Sequence, residues 1–205
     1  PFPYFFGYKT DGVFQNWGEV YAYTNAEGQL VQPDAQPGDF RYQDINGDGS
    51  ITAEGDRANL GKCVPSWTYG INASIDWKGI DFSMVWQGVA GNKIFDATRR
   101  TDIPTMNQPK YVLNRWTGEG STNEYPRFTN TDPNQNWSKA SDFFIKDASY
   151  FRLKNITLGY TLPVKWTNKV FVKKLRVYAA CENAVTFTKY DGFDPEIADY
   201  VDRGI

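Results

Sequence analysis

The sequence has no histidine at all. Ser-His-Asp and Cys-His nucleophilic chemistry and every imidazole-based metal site are thereby excluded from these residues. Carboxylate catalysis stays chemically open, but no pair of acids is singled out by spacing, and the chain is not expected to be an enzyme. Only two cysteines occur, Cys63 and Cys181. They lie too far apart for a zinc ribbon or a redox Cys-x-x-Cys pair, and the reading for both is a small buried hydrophobe.

Long apolar runs are also missing. No window approaches the roughly 20 consecutive apolar residues of a membrane helix, so a helical membrane protein is excluded. The mean hydropathy of -0.57 does not exclude membrane β-strands, whose hydrophobicity is weak and alternating. Long basic runs are absent too: the clusters Arg99-Arg100 and Lys173-Lys174 are pairs in a chain of net charge -2. A nucleic-acid surface, which must neutralise phosphates, is not expected. The chain begins at Pro1 without an initiator Met or a leader, which implies a processed or partial sequence.

Aromatics, by contrast, are abundant at 17%, as in lectin-like sandwiches and outer-membrane barrels. Their placement is informative in "WTYGINASIDWKGIDFSMVWQG", residues 67 to 88. Trp67, Tyr69, Ile71, Ala73, Ile75 and Trp77 share one parity, against Thr68, Gly70, Asn72, Ser74 and Asp76 on the other. After Lys78-Gly79 the alternation resumes with Ile80, Phe82, Met84 and Trp86, Val85 being the exception. The pair predicts a β-hairpin with a tight turn. Trp67 and Trp77 bracket a run of about 11 residues, near the length of a tilted membrane strand.

Two further strands are expected. "SYFRLKNITLGYTLP" changes parity between Leu153 and Ile156, which predicts a bulge near Lys154-Asn155 before Pro163 ends the run. In "KKLRVYAACENAVTFTKY", Leu175, Val177, Ala179 and Cys181 share a face. On a barrel reading that face meets lipid, so a Cys63–Cys181 disulfide is not expected. The links at 78–79 and 163–174 are short, whereas 88–149 is long and rich in Asn, Pro and Thr. Bacterial barrels have short periplasmic turns and long outer loops. This polarity places everything before Trp67 on the extracellular side. The fold class expected is all-β: an antiparallel transmembrane β-barrel of which residues 1–205 supply C-terminal strands and outer loops only.

One motif stands apart. In "YQDINGDGSI", Asp44, Asn46 and Asp48 occupy positions 1, 3 and 5 of a 12-residue calcium loop, with Gly49 at 6, Ser50 at 7 and Thr52 at 9. Position 12, which should close the site with a carboxylate, is Gly55. Asp56 or Glu54 could close it one residue away. Oxygen donors of this kind suit a hard divalent cation, and a structural Ca2+ is the expected cofactor. The competing reading is a type I′ turn at Asn46-Gly47 or Asp48-Gly49. "YDGFDPEI", with Asp191, Asp194 and Glu196, lacks ligand spacing and reads as an Asp-Gly turn. Trp116, Tyr125 and Trp137 read as loop anchors ahead of cargo contacts, and substrate-binding residues stay unknown.

The blocks "GYKTDGVFQNW", "PGDFRYQDINGDGSITAEGDRANLGKCVPSWTYGINASIDWKGIDF", "DASYFRLKNITLGYTLP" and "LRVYAACENAVTFTKYDGFDPEI" resemble, in order, the C-terminal part of SusC/RagA-type TonB-dependent outer-membrane transporters of Bacteroidetes. The resemblance covers about Gly7 to Ile197. It implies a plugged outer-membrane barrel of a Gram-negative cell, a SusD-like surface lipoprotein over its mouth, energy from the TonB complex, and import of oligosaccharides or peptides, with membrane lipid around the strands. The plug, the TonB-contacting segment and a final strand are not in these residues. The alternative from a different class is a secreted, calcium-stabilised glycan-binding β-sandwich. Its apolar strand faces would meet one another in a core.

Overall fold

The computed structural model describes residues 4–96 and 107–196. Arg99-Arg100 and Ile197, named above, lie outside them. The chain divides into two compact units, Pro1–Lys62 with Phe95–Lys146, and Cys63–Ile94 with Asp147–Ile205.

The first unit holds strands β1 (Tyr4–Tyr8), β2 (Thr10–Val13), β3 (Phe40–Tyr42) and β4 (Arg57–Lys62), and the helix α1 (Trp17–Ala22). β1 pairs antiparallel with β4, and β2 with β3. Asn16 caps α1 by accepting from Glu19 N at 3.0 Å, and Glu19 Oε2 accepts from Gln15 N at 2.8 Å. This side-chain exchange satisfies N–H groups that a short helix leaves without partners. Of the long stretch expected to be an outer loop, the described residues 95–96 and 107–146 belong to this unit. Tyr8, Val13, Phe40 and Tyr42 form one small core, and Val112, Trp137 and Phe144 another. Beside them Asp39, fully buried, accepts from Arg127 Nε at 2.5 Å and Asn136 Nδ2 at 2.8 Å.

The second unit is built on β5 (Trp67–Trp77), β6 (Ile80–Ala90), β9 (Tyr150–Thr161) and β10 (Arg176–Thr188), arranged β10-β9-β6-β5 with every neighbour antiparallel. The intervening short strands are β7 (Lys93–Phe95) and β8 (Ile145–Asp147), and the helix α2 (Val164–Thr167) lies between β9 and β10. The expected hairpin closes at Lys78 (φ 49°) and Gly79 (φ 87°) between the paired Trp77 and Ile80. Two successive positive φ values are what a type I′ turn requires.

The register sorts side chains by chemistry. Tyr69, Gly88, Phe151 and Phe187 form one row across the sheet, Ile71, Trp86, Leu153 and Val185 the next, and Trp77, Ile80, Tyr160 and Val177 a third at the turn end. The opposite face carries Asn72, Ser74, Asp81, Ser83, Asn155, Thr157 and Arg176. A parity change on β9 is absorbed as expected: Val85 pairs with Asn155 but Trp86 with Leu153, which leaves Lys154 as the extra residue of a bulge. β10 shifts at the same level, between Glu182 and Val185.

The apolar face is open. Trp67 is 74% exposed, Ile75 64% and Trp77 61%, where a sandwich would have buried them. Neither cysteine is the buried hydrophobe anticipated. Cys181 is exposed in the row of Ala73, Met84 and Ile156, Cys63 is half-buried, and the two are not joined in a disulfide. The reason for Cys181 is that, among the described residues, no element lies over the face to which it belongs.

Candidate metal centre

The loop that leaves β3 and returns at β4 is hung from the first unit by tyrosine. Tyr23 Oη donates to Tyr42 O at 2.8 Å and accepts from Asp44 N at 3.2 Å. Asp44 then gathers the chain: its two carboxylate oxygens accept from Gly47 N at 2.7 Å and Gly49 N at 2.8 Å. Those turns run through φ values of 74° and 81°, which glycine adopts without strain.

Asp48 accepts from Asn46 Nδ2 at 2.7 Å and from Ser50 N and Oγ, both at 2.9 Å. These bonds, Asn46 first, hold its exposed carboxyl below the ordinary carboxylate range. Asp56 is different in kind. It is fully buried, and its oxygens accept from Ile45 N at 2.8 Å and Thr52 N at 2.7 Å, clamping both ends of the loop.

Asp44, Asp48 and Asp56 each place a carboxylate oxygen within 4.8 Å of the others. Of the two residues that could close the site, Asp56 is therefore the one brought to it. Glu54 is exposed and outside the cluster. Asn46 and Ser50 border the cluster through their bonds to Asp48. Gly55 at the nominal closing position has a packing reason: a Cβ there would run into Asn46 Nδ2. Three carboxylates and flanking carbonyl and hydroxyl oxygens make a hard donor set, suited to a divalent cation of the calcium kind.

Sequence reasoning missed a second polar cluster, in the sheet unit. Arg152 on β9, 6% exposed, donates from Nη2 to Asp194 Oδ1 at 2.8 Å, from Nη1 to Glu196 Oε2 at 2.6 Å and from Nε to Thr186 Oγ1 at 2.8 Å. Lys154, the bulge residue, meets Glu196 Oε1 at 2.5 Å, and Tyr150 Oη donates to the same oxygen at 2.7 Å. The stretch read as a plain Asp-Gly turn is thus bound back onto the polar face of β9. Its acids had no ligand spacing because their partners are cations on another strand.

The aromatic residues of the long connection anchor it, as anticipated. Trp137 is buried and donates from Nε1 to Arg127 O at 3.0 Å, Tyr125 packs edge-on against Phe143 at 5.7 Å, and Trp116 Nε1 donates to Gln15 Oε1 at 3.3 Å.

No protein-family model matches the chain. Among curated proteins it is similar to TonB-dependent receptor P3 of Formosa agariphila, 30% identical over 94% of this chain and 18% of that protein. It is also similar to TonB-dependent receptor SusC of Bacteroides thetaiotaomicron, 27% identical over 85% of this chain and 17% of that protein. Among solved structures it resembles the RagAB peptide importer in its open-open state, with a TM-score of 0.66 at 20% identity over 94% of this chain and 20% of that one. The chain thus spans about a fifth of the length of the relatives it matches, and the last likeness shows an all-β fold.

Proposed function

We propose that this chain, which belongs to the SusC/RagA type of TonB-dependent receptor, supplies C-terminal strands and outer loops of a transmembrane β-barrel in the outer membrane. Residues 1–205 are read as one stretch of that barrel. The observation that carries the reading is the parity of the four-stranded sheet. One face is apolar, with Trp67, Ile71, Ile75, Trp77, Leu158, Val177 and Phe187 exposed, and the other is mainly polar, Val85 and Tyr178 being its exposed exceptions. In water an apolar field of this size is unstable, and in lipid it is what a strand presents. Both outer strands, β5 and β10, would pair with further strands of the whole protein, which removes their free edges. The β-sandwich alternative is disfavoured because its apolar faces should be buried against each other.

The whole protein, on this reading, is a nutrient importer and not an enzyme. It works with a SusD-like surface lipoprotein and draws energy from the TonB complex through parts beyond this chain. Its cargo is read as oligosaccharide or peptide, and the likeness to a structure described as a peptide importer supports the second. The loop of Asp44, Asn46, Asp48, Ser50 and Asp56 is read as a structural Ca2+ site on the extracellular side. There the ion offsets the repulsion of three carboxylates and fixes the loop between β3 and β4.

The membrane reading is tested by expressing the whole protein and extracting it from outer membranes. It should require detergent and migrate as a heat-modifiable barrel. Release into water without detergent would overturn it.

A further inference from the structure

Resting on the barrel reading, we infer that the connection between β9 and β10 is a membrane-surface anchor that binds anionic phospholipid headgroups at the turn end of the sheet. Residues 162–175, "LPVKWTNKVFVKKL", contain Lys165, Lys169, Lys173 and Lys174 and no acid. Among the described residues no salt bridge is formed by any of these lysines. Three apolar side chains interleave with them and point into solvent: Trp166 is 61% exposed, Val164 57% and Phe171 98%.

Phe171 is held there by its backbone. At φ 59° and ψ 22° it sits in the left-handed region, which is uncommon for a bulky residue, and its N–H donates to Asn168 O at 3.2 Å. A helix of one turn, α2, precedes it.

Position argues for lipid as the occupant. The connection leaves β9 at Thr161, paired with Arg176, immediately beyond the row of Trp77, Ile80, Tyr160 and Val177 that ends the apolar face. Lys78 in the neighbouring turn places its ammonium 4.8 Å from the Trp77 ring centre. At this end the acid Asp81 is already engaged by Arg176 at 2.9 and 2.5 Å, and Asp76 lies on the polar face. At the opposite end of the unit Asp147, Asp194 and Glu196 are paired with Lys93, Arg152 and Lys154. Among the described residues of the sheet unit, most of the cations without an acid partner therefore gather where the short turns emerge.

Lysines beside half-inserted aromatics at the edge of an apolar band are the chemistry that recognises anionic headgroups, each cation adding to attraction that salt screens. The occupant we assign is the phospholipid of the leaflet on the turn side.

The experiment uses the whole protein in nanodiscs of phosphatidylcholine with or without phosphatidylglycerol. With Cys63 and Cys181 replaced by Ser, a fluorophore sensitive to polarity is placed at Phe171→Cys, and separately at Ile71→Cys as a control on the apolar face. Retained phosphatidylglycerol is counted by native mass spectrometry for the parent and for a variant with Lys165, Lys169, Lys173 and Lys174 changed to Gln. We expect the label at 171 to report an interfacial environment. We also expect the variant's preference for phosphatidylglycerol to fall by about tenfold or more, with 1 M salt mimicking the loss in the parent. A label at 171 in water while that at 71 is in lipid overturns the anchor and leaves the barrel intact; the turn is then a face for a periplasmic protein. Both labels in water overturn the barrel reading and the anchor with it. An unchanged lipid preference in the variant also overturns the anchor.

Discussion

The ring of Tyr69 on β5 lies directly over Gly88 on β6. A Cβ at Gly88 would stand 2.5 Å from Tyr69 Cε2 and Cζ. The glycine lets the tyrosine lie across the strand to reach Phe151, with ring centres 5.7 Å apart, and Phe151 in turn stacks on Trp86 at 4.8 Å. A Gly88→Val substitution is therefore expected to lift Tyr69 off the sheet and to cost about 1–3 kcal/mol by overpacking. Denaturant unfolding of the whole protein in detergent checks it. Gly118→Val is the control, since a Cβ at Gly118 meets nothing within 4 Å, and it should be near neutral.

Arg127 and Asp39 set a larger effect in the first unit. Asp39 has a fully buried side chain and also accepts from Gln36 N at 2.9 Å. Asp39→Ala leaves Arg127 with Gln36 as its remaining side-chain partner and removes one of the bonds of Asn136, so a loss of about 3–5 kcal/mol is expected. Glu124→Ala, at an exposed position of the same connection, should change stability by no more than about 0.5 kcal/mol.

The return of residues 191–196 onto β9 should depend on pH. Arg152 beside Asp194 holds that carboxyl below the ordinary carboxylate range, with Lys154 adding to it, while Glu196 and Tyr150 share the cluster. A depressed folded value means that the contribution is fully present above the unfolded value of 3.8. It is lost as pH falls through the lower, folded one. Amide exchange in residues 191–196 should therefore rise below about pH 4. Arg152→Gln should raise it already at neutral pH.

Much of the sheet was legible because period-2 patterning is a local signal. The Lys78-Gly79 turn, the bulge at Lys154 and the faces of Tyr69 and Asn72 all follow from parity and turn chemistry. What parity could not reveal was long-range pairing between dissimilar stretches. Arg152 with Asp194 and Glu196, and Asp39 with Arg127, join positions that have no common pattern. Burial of Trp137 and Asp56 likewise depends on neighbours remote in sequence. At the loop, the ligand spacing showed the first half, and Gly55 became intelligible only when Asn46 was seen to occupy the space beside it.

That geometry separates two roles within one loop. Asp56 is buried and bonded to two backbone N–H groups, so Asp56→Asn should destabilise the protein by about 1–3 kcal/mol even in chelator. Asp48 is exposed, so Asp48→Asn should leave stability in chelator nearly unchanged. On the proposed calcium reading, added calcium should raise the parent's unfolding temperature, and Asp48→Asn should abolish that rise. Thermal unfolding with and without calcium measures both. Equal behaviour of the two variants would show that the loop is a hydrogen-bonded turn only.

The central claim is that the face bearing Ile71 and Ile75 meets lipid while that bearing Asn72 and Ser74 meets water. The most direct measurement places a spin label at each position from Tyr69 to Asp76 in turn, in the whole protein in liposomes, with Cys63 and Cys181 replaced by Ser. Collision rates with dissolved oxygen and with a water-soluble nickel complex are then compared. The account predicts strict alternation, with odd positions favouring oxygen and even positions nickel. Nickel-accessible labels at Ile71 and Ile75, or no alternation along the strand, would contradict it.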